Sequence, residues 1–318
     1  MSIFAYQVFV TVVEKSSFVK AADSMNMTAS AVSHSIAKLE RDLGLTLFTR
    51  NRNGAYLSSE GESILPHVLA VLNGQERLSQ EVSHLKGLDS GSIRMATFPS
   101  VCTSWLPDII NSFRKLHPGV EVTVWQGNYY EVINWLHSGY ADIGFLSINV
   151  DTRGLDFVPL YQDRMMCVAS ADYQPKNKTY VTLEDIQAGP ILWPHQSDDI
   201  EVDTMLMNNY GLNLRHKGMV ESDHCLVTLA EAGLGLALLP ELSFGRISHK
   251  ASVYPVEPAW YRNIILAHLK SQPMSSAASV MHRHIVDFCR NLKPTNFTRA
   301  ADLENQARKS SEKTTKPL

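Results

Sequence analysis

Between residues 3 and 13 the apolar side chains Phe4, Val8, Phe9, Val12 and Val13 recur every three or four positions, the period of a helix with one buried face. Ser16 and Ser17 can cap a second helix in which Phe18, Ala21, Ala22 and Met25 share a face, until Asn26 and Met27 interrupt it. Thr28 suits the start of a third helix running to about Leu43, where Gly44 can supply a left-handed stop. In this helix Val32, Ile36, Leu39 and Leu43 form one stripe; Ser30, His34, Ala37 and Arg41 form the opposite one, with Ser33 and Lys38 at its edges. Residues 46–49 (TLFT) then read as a short strand, residues 50–54 (RNRNG) as a basic turn and residues 55–57 as a second strand.

Ser58 or Ser59 can begin a long helix, and Ser59 with Glu62 has the spacing of a capping box. Ile64, Val68, Val71, Leu72, Leu78, Val82 and Leu85 continue one apolar stripe to about residue 86, before the turn around Gly87 and residues 89–91. Such a helix of about 28 residues is about 40 Å long. Most of its stripe has no evident partner within the chain, and a second copy of the same helix is the natural one. From Gly91 onward the periods alternate: strand at 92–98, helix at 105–115, strand at 120–125, helix at 131–138, strand at 143–146. This predicts an α/β fold.

Composition narrows the class. A chain of 318 residues exceeds one ordinary core, and 44% apolar with 19% charged residues describes a folded, soluble protein. No apolar run reaches the about 18 residues of a membrane span, and the N-terminus lacks a basic segment followed by an apolar one, so a cytoplasmic protein with no membrane association is expected. Cys102, Cys167, Cys225 and Cys289 are far apart and read as reduced core thiols rather than a zinc or thiol-exchange set. With a net charge of -3, phosphate binding by bulk charge is excluded, and any DNA contact depends on a few placed groups.

Taken alone, the polar face of the third helix reads equally well as merely solvated. The basic hairpin that follows makes it the reading helix of a winged DNA binder. Ser30, Ser33 and His34 are slim enough to approach base edges, while Lys38, Arg50 and Arg52 would hold phosphates. Residues 9–50 (FVTVVEKSSFVKAADSMNMTASAVSHSIAKLERDLGLTLFTR) and 57–61 (LSSEG) make residues 1–61 resemble the winged helix-turn-helix of LysR-type transcriptional regulators. Ala29, Ser30 and His34 stand where many members carry Gln, Pro and Arg, which leaves the operator sequence open.

The resemblance continues. FRKLHPGVEVTV (113–124), GYADIGF (139–145) and EAGLGLALLPE (231–241) are similar to the family's effector-binding domain, itself related to the two-lobed periplasmic solute-binding proteins of type 2. It implies an all-α winged helix-turn-helix domain over 1–61, with the helix-turn-helix at about 18–37. A linker and dimerisation helix follows over 62–88, then a two-lobed α/β effector domain over 89–293. Lobe I would hold 91–161 and 269–293, lobe II 162–268, with 294–318 a flexible polar tail. The implied partners are a double-stranded DNA operator, a small-molecule effector, further copies in a homodimer or homotetramer, and RNA polymerase. No cofactor is implied, and no enzyme activity.

In folds of this kind ligands bind beyond the carboxyl ends of strands, where helix starts offer free amides to anions. That rule selects Ser100, Cys102, Asn128 and Ser147 in the first lobe and His195, Gln196 and Ser222 in the second, for a small organic anion. Each serves equally well as a cap or turn residue. Glu221 would instead suit an amine or hydroxyl. Gly233 and Gly235 lie between a helix and a strand, the wrong order for a dinucleotide loop, and read as a helix stop. His282, His284 and Cys289 share a helix with poor metal-ligating offsets and read as surface and core residues. Cys225 invites comparison with the family's peroxide sensors but has no resolving cysteine nearby in sequence. A solute-binding protein or an enzyme on the same lobes is the alternative; the first would be exported, and no nucleophile, base and orienting set supports the second.

Overall fold

The computed structural model describes residues 2–51, 54–85, 90–193, 222–244 and 250–292. The expected tail, Arg52, His195, Gln196 and Glu221 lie outside them. The chain divides into two compact units, Met1–Ser90 with His137–Tyr140 and Gly91–Leu136 with Ala141–Leu318.

In the first unit, α1 (Ile3–Lys15) is capped by Ser2, whose hydroxyl accepts from the Ala5 amide at 3.2 Å, and it ends at Ser16 in the left-handed region (φ 49°). Helix α2 (Phe18–Ser24) starts on Ser17, and α3 (Ala29–Leu43) starts on Thr28 and stops at Gly44 with φ 69°. The apolar stripes meet as read: Val8, Phe9, Val12, Ala21, Ala22, Val32, Ile36 and Leu39 are buried together. Phe48 fills the space between them, edge-on to Phe9 at 5.4 Å and to Phe18 at 5.5 Å.

Strand β1 (Phe48–Asn51) pairs antiparallel with β2 (Gly54–Leu57). It begins two residues later than the sequence suggests. Thr46 and Leu47 are diverted to other partners: the Thr46 carbonyl accepts from the Ser58 hydroxyl, and the Leu47 carbonyl accepts from the Ser58 amide at 3.0 Å. Ser58 is also the cap of α4 (Ser59–Leu85), its hydroxyl accepting from the Gly61 amide at 2.9 Å. The expected Ser59–Glu62 capping box is therefore corrected; Ser59 is already helical and donates to the Glu60 carboxylate at 3.0 Å. Along α4, Val68 and Leu69 are buried in the unit's core, whereas Val71, Leu78 and Val82 are exposed.

The second unit contains a nine-stranded sheet among the described residues. Strands β3 (Gly91–Thr97), β4 (Val120–Gln126) and β5 (Ile143–Ser147) run parallel in the order β4-β3-β5. Helices α5 (Pro99–Ser104), α6 (Leu106–Leu116) and α7 (Tyr129–Ser138) make the connections. The helix expected at 105–115 forms as α6, and the chain breaks before it at Trp105, leaving α5 separate, since Pro107 lacks an amide donor and suits only a first turn. Trp105 is buried edge-on against Tyr161 at 5.4 Å.

Two long strands, β6 (Leu155–Ala169) and β11 (Tyr261–Leu269), carry the chain between lobes. The first half of β6 pairs with β11, from Leu155 opposite Leu269 to Arg164 opposite Tyr261. From Met165 onward it pairs with β9 (Leu236–Pro240) and β10 (Ser252–Glu257), which in turn pair with the short β8 (Ile191–Leu192) and β7 (Val181–Thr182), respectively. Helices α8 (Leu183–Gln187) and α9 (Asp223–Glu231), with the short α10 (Glu241–Phe244), belong to this second lobe, and α11 (Ser276–Arg290) returns to pack on the first.

On α11 the His284 ring nitrogen lies 2.9 Å from the Ser112 hydroxyl, His282 meets His268 edge-on at 6.0 Å, and Cys289 is buried. Among the described residues no group of three metal-binding side chains forms. Cys167 and Cys289 are core thiols, both pushed up to about 12 by burial, with Asp185 adding to the rise at Cys167. Cys225 is exposed and Cys102 half-buried, which corrects the reading of all four cysteines as core.

Gly61 is tightly surrounded: a Cβ there would sit 2.2 Å from the Leu47 carbonyl oxygen, which is backbone and cannot swing away. Gly61→Ala should therefore destabilise the protein by about 1–3 kcal/mol, read as a lower urea midpoint. An unchanged midpoint would contradict this junction.

Candidate DNA-reading helix and ligand site

Helix α3 presents Ala29, Ser30, His34 and Lys38 to solvent, with Ser33 half-buried beside them. Ser30, His34 and Lys38 follow one another at four-residue steps, so they form a single stripe along the helix. Arg50 lies in β1 opposite Ala55. What aims the wing is Glu40, a residue that periodicity does not single out. Its Oε1 accepts from the Leu47 amide at 2.8 Å and from the Phe48 amide at 3.3 Å, tying the back of α3 to the start of the hairpin. The only sequence signal is a lone acid on the edge of the buried stripe.

The residues selected for ligand contact divide by what they already hold. Ser100, in the first turn of α5, is buried, and its hydroxyl accepts from Arg262 Nη2 at 2.8 Å. Asn128 caps α7: its Oδ1 accepts from the Glu131 amide at 2.8 Å, while its own amide donates to the Glu131 carboxylate at 2.8 Å. Ser147 is fully buried at the end of β5. Cys102 is half-buried, and burial pushes its thiol up. Ser222 is exposed at the start of α9 and makes no capping hydrogen bond.

The group that organises Ser100 was not found by sequence reasoning. Arg262, at the start of β11, pairs with Asp163 on β6; the guanidinium side chain is 11% exposed and the carboxylate 0%. Nη1 reaches the Tyr129 hydroxyl at 3.5 Å, and the guanidinium carbon lies 4.8 Å over the Phe98 ring. Asp163 Oδ1 accepts from the Leu242 amide of α10 at 3.1 Å, and the Leu242 carbonyl accepts from the Ser104 hydroxyl at 2.9 Å. Burial disfavours charge on Arg262, but Tyr129 and Asp163 outweigh it and hold the guanidinium above its ordinary value. Burial raises the Asp163 carboxyl, and Arg262 opposes that rise. Asp163 sits within the polar run Gln162, Asp163 and Arg164, so the sequence carries no signal that sets it apart as buried.

Residues 3–62 match the family model for bacterial regulatory helix-turn-helix proteins of the lysR family, and residues 86–290 match that for the LysR substrate binding domain. The chain is 31% identical over 286 residues to the uncharacterised HTH-type transcriptional regulator YvbU of Bacillus subtilis, covering 88% of this chain and 96% of that one. It is 29% identical over 246 residues to the probable HTH-type transcriptional regulator LrrA of Synechococcus elongatus, covering 76% and 82%. Full-length OxyR C199D of Pseudomonas aeruginosa superposes with a TM-score of 0.73 at 17% identity, over 93% of this chain and 100% of that one. CbnR in complex with its target DNA superposes with a TM-score of 0.63 at 17% identity, over 91% and 99%. These names describe regulators rather than enzymes. Among the described residues no helix is long and apolar enough to cross a membrane.

Removing the Glu40 acceptor by Glu40→Ala should lower stability by about 1–3 kcal/mol, the cost of leaving partly buried amides unpaired. Glu40→Gln, which keeps an acceptor, should recover most of it. Equal unfolding midpoints for the alanine variant and wild type would count against this tie.

Proposed function

Because this chain belongs to the LysR family of bacterial transcriptional regulators, we propose that it reads operator DNA with α3 and its wing and answers to a small organic anion bound between its lobes. It is a DNA-binding transcriptional regulator with an effector-binding domain. In the proposed assignment Ala29, Ser30, Ser33 and His34 approach base edges in the major groove, and Lys38, Arg50 and Arg52 hold phosphates. The observation that carries this is the outward stripe of Ser30, His34 and Lys38 on a helix capped at both ends. Slim polar residues leave room for the helix to enter the groove, and the cation supplies salt-dependent affinity.

On the ligand side, the effector meets Ser100, Cys102, Asn128 and Ser147 of the first lobe and His195, Gln196 and Ser222 of the second. Ser100 is the strongest of these, because it touches the buried charge cluster that joins the crossing strands. The regulator acts in the cytoplasm as a homodimer or homotetramer, with RNA polymerase a further partner. Exposed Val71, Leu78 and Val82 on α4 support pairing with a second copy.

Two experiments test these assignments. In gel retardation with the chain's own upstream DNA, Lys38→Ala should weaken binding evenly across sequences and reduce the salt slope by about 1. His34→Ala should instead relax preference at one or two base positions. Wild-type behaviour in both would overturn α3 as the reading helix. Leu78→Glu should shift sedimentation toward smaller species at micromolar protein; an unchanged distribution would remove α4 from the interface.

A further inference from the structure

The guanidinium of Arg262 is paired, but not to its full capacity. Nη2 donates to Ser100 and to Asp163, Nη1 reaches Tyr129, and Nε is buried without a hydrogen-bond partner. Its counter-ion is spent, since Asp163 gives Oδ2 to Arg262 and Oδ1 to the Leu242 amide. A buried N–H donor on a cationic group calls for an acceptor, which excludes an ammonium as the group that fills it. The edge carrying Nε–H and Nη2–H matches the two oxygens of a carboxylate.

We propose that Arg262 is the residue that receives the effector's anionic group, a carboxylate, and that Ser100 surrenders its hydrogen bond in the exchange. This rests on the reading that the ligand binds between the lobes. Ser100 is thereby a competitor for Arg262 rather than the primary acceptor of the ligand. The exchange reports occupancy because Ser100 sits on α5 of the first lobe, whereas the Asp163 counter-ion is fixed to α10 of the second. A ligand that takes Arg262 from Ser100 weakens the first attachment and leaves the other in place, so it has different affinity for the two lobe arrangements.

Formate, the smallest carboxylate, is the probe, with full-length protein and melting temperature read against chloride at equal ionic strength. Formate should raise the midpoint saturably, and sulfate should raise it without saturating. Arg262→Met combined with Asp163→Asn removes both charges together, so neither is left buried alone, and should abolish the effect. Ser100→Ala should tighten formate binding by about two- to tenfold, as loss of a competing hydrogen bond predicts. An unchanged or weaker affinity in Ser100→Ala would overturn Arg262 as the receiving group while leaving a ligand site at Ser100. An undiminished effect in the double variant would place the anion elsewhere and overturn both the assignment and the site between the lobes. No saturable response below about 100 mM formate, or a saturable one to sulfate, would overturn the carboxylate class.

Discussion

The ion pair between Arg262 and Asp163 is the constraint on which the second unit depends. Two charges buried among apolar strands cost several kcal/mol each to desolvate, and their attraction recovers that only when the remaining donors and acceptors are met. The chain meets most of them from both lobes: Ser100 and Tyr129 from the first, the Leu242 amide from the second. Arg262 and Asp163 lie on the two strands that pass between the lobes, so the pair ties the lobe arrangement to the part of the molecule where a ligand can act on it. Replacing one partner would strand the other, which makes the pair a structural element as well as a chemical one.

The first unit depends on a smaller device of the same kind. Glu40 holds the Leu47 and Phe48 amides, Ser58 holds the Thr46 and Leu47 carbonyls, and Gly61 lets α4 approach the Leu47 backbone. Helix α3, the hairpin and α4 thus share one junction, and α3 carries the stripe of Ser30, His34 and Lys38. A DNA-reading face needs rigidity, because base contacts discriminate only when their donors are already in register with the phosphates.

Much of this was visible in sequence. Caps at Thr28 and Gly44 and the stripe from Val32 to Leu39 are local signals, and α3 formed where they put it. Val71, Leu78 and Val82 of the α4 stripe are exposed among the described residues, as the sequence pattern suggested. Errors arose where a distant contact outweighed a local one. Ser59 had the spacing of a cap, but Ser58 took the role because its hydroxyl also meets Thr46 twelve residues back. Arg262 and Asp163 are 99 residues apart, and no periodicity connects them. Ser100 was found from its place after a strand, while the group that governs it was not.

In the proposed account, regulation depends first on α3 and its wing reading a DNA sequence. Selection of full-length protein against a random double-stranded DNA library tests this directly, whatever the operator is. The expected result is enrichment of one motif built of two related half-sites, as a two-fold protein on DNA requires. Recovery of DNA with no enriched motif, at salt concentrations where binding persists, would contradict it.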